Sequence, residues 1–273
     1  MARALQLILH TIRLIFGNLK QALQVSLGGF LLAAGAIFLF VLIVSQFQMG
    51  PAGPGGSGTG LVVALFGFAL ALFLVLVFCA VAIAWHRYIL LNEVPRGLFP
   101  ISINGLAVSY LTRVAGISLL LIVLSVAAMT LINFAIVPLL SAIAGADNGF
   151  AGIVLSFATT LAIMVLVQYV AMRLFVSLPA IAVENTGFSI GDAWAASGRE
   201  RGAIFWILVI MTIAVWGTIL LVTLPFVPSG PPIAAQPPLI VSVLLIPIQW
   251  FYFMFNICIL TTLYGITVEG REI

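Results

Sequence analysis

The side chains able to do chemistry are few, and they stand where long apolar runs end. His86 and Arg87 close one run in Ala84-Trp85-His86-Arg87-Tyr88. A cation pair flanked by aromatics could hold a phosphate, although an Arg at such a position also commonly reaches out to water with no ligand at all. Arg173 closes another run, in Arg173-Leu-Phe-Val-Ser-Leu-Pro179-Ala-Ile-Ala-Val-Glu184. Arg173 could pair with Glu184, with a phosphate or with nothing. A structural Arg173–Glu184 ion pair, with Pro179 turning the chain back, is the preferred expectation. Inside the apolar runs the larger polar residues are Asn133, Gln168, Gln249 and Asn256. Gln168, Gln249 and Asn256 form a candidate polar cluster. They would either line a hydrated path or, as amides more often do between apolar helices, join helices by hydrogen bonds.

Catalytic patterns are absent. There is no Gly-rich phosphate loop ending in Lys-Ser/Thr, no His-Glu-x-x-His and no Gly-x-Ser-x-Gly. The two histidines, His10 and His86, have no Cys/His/carboxylate cluster beside them, so no metal site is expected. Cys79 and Cys258 lie within apolar runs without ligand spacing and are expected to be buried thiols. No enzyme activity and no cofactor are therefore expected.

The elements that must position these residues follow from composition. Of the 273 residues, 64% are hydrophobic and 6% charged, and the mean hydropathy is +1.33. A soluble domain carries about 25% charged residues. Too little polar surface remains to hold a chain of this size in water, so its solvent is lipid. Backbone groups in lipid must bond within a helix or a closed barrel. The apolar runs are continuous, without the alternation of barrel strands, and so they are helices.

Charged residues are missing from Gln21 to His86, from Val114 to Met172 apart from Asp147, and from Gly202 to Val268. Each stretch far exceeds the ~20 residues of one span. Each is broken near its middle by Gly, Pro or Asn clusters, at 49–60, 145–149 and 228–238. The expected fold is an all-α membrane protein, a single membrane domain over 1–273. Its six transmembrane helices form three helical hairpins, with spans near 25–48, 61–87, 114–140, 150–176, 203–226 and 239–265. Pro247 is the expected kink.

With six spans, all ten Lys and Arg residues fall on one side. The positive-inside rule then puts both termini in the cytoplasm. Residues 1–24 do not read as a cleavable signal peptide, because Arg13 and Lys20 interrupt them. They read as an interfacial amphipathic helix, with Arg3, Gln6, His10, Arg13, Lys20 and Gln24 recurring every three or four positions. Similar cytoplasmic-side helices are expected before the other hairpins, at about Ile101–Thr112 and from Ser189, where Ser189-Ile-Gly-Asp192 reads as a capping box. Phe99-Pro-Ile-Ser102 and Phe188-Ser-Ile-Gly191 open these two segments, so the chain reads as three repeats of one helix plus one hairpin. Tyr110 and Trp194 are expected to anchor the segments at the interface.

The run from Arg173 to Glu184, followed by Ala193-Trp194 and Ser197-Gly-Arg-Glu-Arg-Gly202, resembles a bacterial six-span pattern. It is similar to the family that includes the membrane domain attached to some glycerophosphoryl diester phosphodiesterases. About 30 residues carry the likeness, together with the overall topology. Ser197–Arg201 departs from a more usual Thr-x-Gly-Asn-like step. The catalytic domain of that family is separate and soluble, so the resemblance implies a membrane-embedded accessory part of the bacterial inner membrane, without enzyme activity.

The first functional expectation is a non-enzymatic inner-membrane accessory or scaffold. Its basic face would contact anionic membrane lipids or a larger membrane complex, and nucleic acid is not an expected partner. The alternative is a transporter or channel for a small neutral or lipid-like solute. A weaker third reading is a lipid-modifying enzyme using Arg87, Arg173 and Glu184.

Overall fold

A computed structural model of the chain describes residues 1–48, 57–94, 105–144, 150–226 and 239–272. These residues are all-helical, with no strand among them. The helices are α1 (Ala2–Gly17), α2 (Leu19–Gln48), α3 (Ser57–Leu91), α4 (Gly105–Leu131), α5 (Val137–Ala144), α6 (Phe150–Phe175), α7 (Ser177–Ala182), α8 (Ile190–Ser197), α9 (Arg201–Thr223) and α10 (Leu239–Thr267). Among the described residues six segments are long and apolar enough to cross a membrane: Leu19–Gln46, Gly60–Leu91, Gly105–Leu139, Phe157–Ala182, Ile190–Phe226 and Val243–Thr267. Their outer surfaces carry large apolar side chains. Ile213 and Leu221, for example, are 68% and 74% exposed. In water such a surface would drive association; in lipid it costs nothing.

The helix expected over 1–24 breaks at Asn18. Its φ of −119° leaves the helical region, and its Nδ2 donates to the Leu14 carbonyl at 2.9 Å. Gly and Asn together favour leaving a helix, the first through backbone entropy and the second through side-chain competition for backbone groups. Lys20, Gln21 and Gln24 are good helix formers, and α2 takes them in. α1 buries Ala4, Leu7, Ile8, Thr11 and Ile15 against the bundle. Its polar stripe lies on one flank, and exposed Leu5, Leu9 and Phe16 lie on the other. Within the segment Ile101–Thr112, 101–104 lie outside the described residues, and the remainder is the first turns of α4. The capping box before α8 is present. The Asp192 amide donates to Ser189 Oγ at 3.1 Å, and the Ser189 amide donates to Asp192 Oδ2 at 2.8 Å.

Between α4 and α5 the chain widens into one π-helical turn, Ile132–Ile136. Pro138 follows, lacking an N–H and crowding the carbonyl four residues back. The wider turn relieves that conflict. Pro247 lies inside α10.

α2 and α3 pack closely at Gly29. A Cβ on Gly29 would stand 2.7 Å from Val81 Cγ2 and 3.2 Å from Val77 Cγ1, so only glycine allows this approach. Phe30, Phe78 and Phe253 then pack mutually at centroid distances of 4.8–5.5 Å, joining α2, α3 and α10. The buried core lies toward the end of the bundle where both termini sit. It runs through α1, the second half of α3, α7, the start of α9 and the second half of α10. Contacts across that end tie it together. Tyr88 donates to Asn18 Oδ1 at 2.7 Å, Arg271 donates to the Ile89 and Leu90 carbonyls, and Arg3 pairs with Glu200 at 3.2 Å.

Candidate functional site: an uncharged groove and its polar supports

Beyond that core the helices part around a groove of about 600 Å³, within the ~300–1,000 Å³ usual for small-molecule sites. α3, α4, α6, α9 and α10 form its walls, along with Leu178 of α7. On α3 the lining runs from Val75 to Ala82, about 10 Å of helix axis. The lining holds no Asp, Glu, Lys, Arg or His. Its positions with polar side-chain atoms are Tyr110, Gln168, Thr212, Trp216, Tyr252 and Asn256, and Cys79 contributes a thiol.

Several of these polar groups have bonding capacity left over. Thr212 Oγ1 is buried without a hydrogen-bond partner. Asn256 Nδ2 donates to the Tyr252 carbonyl at 2.8 Å, and its Oδ1 retains its acceptor capacity. The Tyr252 hydroxyl stands 3.4 Å from Thr218 Oγ1. Apolar walls with a few polar groups of spare capacity can hold an amphiphile and orient it.

Of the expected polar cluster, Gln168 and Asn256 share this groove and Gln249 does not line it. Gln249 and Asn256 are seven residues apart on α10, hence on one helix face but two turns apart along the axis. Asn133 lies in the π turn, away from the groove, and donates to the Met129 carbonyl at 2.8 Å.

His86 and Arg87 point in different directions. His86 is fully buried, with Nδ1 2.8 Å from Thr261 Oγ1 and Nε2 3.2 Å from the Tyr110 hydroxyl. It therefore joins α3, α4 and α10 inside the bundle. Tyr110, expected at the interface, is 2% exposed and forms part of both this network and the groove wall. Arg87 turns outward and donates a fork of two bonds to Glu93, each 2.7 Å. Its Nη1 donates to Glu184 Oε1 at 2.8 Å and to the Ala182 carbonyl at 2.9 Å. The bonds from Arg87 hold the Glu93 carboxyl below the usual carboxylate range. Thus Glu184 pairs with Arg87 and not with Arg173. Sequence proximity favoured the second, but the Val183–Phe188 turn carries Glu184 to the end of α3.

Arg173 is buried instead beneath Trp194. Its guanidinium carbon lies 3.5 Å from the indole centroid, Nη2 donates to the Trp194 carbonyl at 2.5 Å, and Nε donates to Ser197 Oγ at 3.1 Å. No carboxylate among the described residues lies within ion-pair distance of it. Cation–π stacking and two hydrogen bonds replace one, and they clamp α8 onto α6.

A second, polar cavity of about 320 Å³ lies at the terminal end of the bundle. His10, Asn18, Tyr88, Thr261, Thr262 and Arg271 are among its lining residues. Burial, followed by the nearby Arg13 charge, lowers the His10 pKa from its ordinary value.

Cys79 and Cys258 are buried free thiols. Among the described residues no three His, Cys, Asp or Glu side chains cluster so as to hold a metal. Sequence reasoning overlooked Tyr110, Thr212 and Thr261 as site residues. The Thr261-Thr262 pair within an apolar run was the available signal. In comparisons with known proteins, no protein family, curated protein or solved structure matches this chain.

Proposed function

We propose that this multi-pass membrane protein binds an uncharged, lipid-like amphiphile in the groove and carries or presents it within the bacterial inner membrane, performing no chemistry on it. One observation carries the reading: the groove is walled by apolar side chains, contains no charged group, and includes a buried hydroxyl without a partner in Thr212. A charged ligand would be stranded there, since burying an unpaired charge is far costlier than burying an apolar chain. An apolar body fills the walls, and a small polar end meets Gln168, Thr212 or Asn256.

The test is native mass spectrometry of protein purified from its own membrane. Bound mass corresponding to neutral lipid is expected, reduced in Ala171→Phe, which fills the groove. Retention of the same lipid by that variant, correctly folded, would remove the groove as the site.

A second reading, a scaffold adhering to anionic lipid, has its own support. Arg13, Lys20, Arg199 and Arg201 are exposed and make no ion pair among the described residues. On α1 a polar flank lies beside exposed Leu5, Leu9 and Phe16, as suits a helix lying in a headgroup layer. Each basic residue near an anionic leaflet contributes about 1 kcal/mol. Arg3, Arg87 and Arg271 are paired with glutamates and Arg173 is buried, so fewer cations serve that role than the composition implies. The enzymatic reading has no such support, because Arg87 neutralises Glu184 while Arg173 lies under Trp194.

A further inference from the structure

We infer that the groove selects amphiphiles whose polar end donates a hydrogen bond, such as a long-chain alcohol, over those whose polar end only accepts one. This inference rests on the groove being the binding site.

The Thr261 hydroxyl donates to the Ile257 carbonyl at 2.9 Å. A hydroxyl has one proton, so toward His86 its oxygen can only accept. His86 Nδ1, 2.8 Å away, is then the protonated ring nitrogen. No carboxylate is bonded to the ring, which is assigned as neutral, and so Nε2 is the acceptor. The Tyr110 hydroxyl, 3.2 Å from Nε2, must donate to it. Its single proton is thereby used, and Tyr110 offers the groove acceptor capacity only. Asn256 adds a second acceptor in Oδ1 and keeps one amide proton, the other being donated to the Tyr252 carbonyl. Gln168 and Thr212 can donate or accept, while the Trp216 indole and the remaining Asn256 amide proton only donate; an alcohol end can meet every one of these groups, an acceptor-only end just the donors.

Ligands fall into three classes on this basis. An alcohol end satisfies a wall acceptor. An ether or ester end can bond only to the wall donors and leaves acceptor facing acceptor at Tyr110. A carboxylate adds an unpaired charge. His86 and Thr261 are positioning residues: they touch no ligand and act by fixing the direction in which Tyr110 donates.

The test is equilibrium binding of radiolabelled hexadecan-1-ol to the purified full-length protein in nanodiscs, competed by unlabelled hexadecan-1-ol, by 1-methoxyhexadecane and by palmitate. Saturable binding is expected, with the alcohol competing about fivefold or more better than the methyl ether and palmitate competing least. Tyr110→Phe should lower the alcohol-to-ether ratio toward one. Thr261→Val should lower the ratio, and Thr261→Ser should restore it. That ratio is a readout which loss of packing alone would not move. Equal competition by alcohol and ether on the native protein overturns the donor selection but leaves the groove standing. A ratio that survives in folded Tyr110→Phe overturns the role of Tyr110. Absence of saturable binding by either probe overturns the groove reading and this inference together.

Discussion

Replacing Thr261 by Val removes one oxygen at nearly constant volume, so its effect reports on the buried His86 network. Thr261 Oγ1 accepts from His86 Nδ1 at 2.8 Å, and His86 is fully buried. Valine leaves that N–H with no acceptor. The bond from Thr261 to the Ile257 carbonyl is also lost, but that carbonyl is already bonded within the α10 helix. A buried donor left unpaired costs about 1–3 kcal/mol in general. In membrane proteins the unfolded state also finds partners, and measured couplings average ~0.6 and reach ~1.7 kcal/mol. We therefore expect a loss of about 1 kcal/mol. Serine keeps the oxygen and gives up one methyl group, so it should cost less. Equilibrium unfolding in mixed micelles by SDS titration, followed by helical circular dichroism, measures both variants. Tyr110→Phe shares the same ring, and its effect should be non-additive with Thr261→Val. A Thr261→Val variant within ~0.3 kcal/mol of the native protein, well below these costs, would refute the reasoning. So would a Thr261→Ser variant as destabilised as the valine.

Gly29→Ala should destabilise by about 1–3 kcal/mol in the same assay, because its Cβ would stand 2.7 Å from Val81 Cγ2 and Val81 is itself 1% exposed. Glu184→Gly should be nearly neutral despite losing an ion pair. Glu184 has a left-handed φ of +63°, so glycine relieves about 1 kcal/mol of strain, which offsets an exposed salt bridge worth ~0–1 kcal/mol. His10 titrates below its ordinary value in the folded chain. The unfolded chain therefore binds more protons as pH falls through about 6.5, and folding stability declines in that direction. Thermal unfolding from about pH 7.5 to 5.5 should show this decline, flattened in His10→Gln; an equal slope in both proteins would contradict it.

The spans were legible because they depend on where charge is absent. Lipid penalises charge wherever it falls along a span, so the gaps from Gln21 to His86 and from Gly202 to Val268 mark helical hairpins without tertiary knowledge. The ends of the helices were less legible. Lys20 and Gln24 read as part of a surface helix, yet they extend α2, because a polar residue at a helix end can reach water while its backbone stays helical. Ion pairing was misread for a different reason. Arg173 and Glu184 are close in sequence, but the partner of Glu184 comes from a helix 97 residues earlier. Local spacing cannot rank such contacts.

The groove was half legible. Gln168 and Asn256 stood out because amides are rare in apolar helices. Tyr110 and Thr212 did not, since their types suit an interface or a helix back-bond equally well. Their role depends on five helix segments parting beyond a core packed near one end, and that is a property of the assembled bundle.

Photoaffinity labelling with a diazirine-bearing long-chain alcohol, followed by peptide mapping, tests the central claim most directly. Label is predicted on groove residues such as Met172, Met211 and Asn256, and unlabelled alcohol should compete it away. Label spread over the outward-facing Leu119, Val126, Ile213 and Leu221, and insensitive to competitor, would mean that the protein merely sits in lipid and holds none.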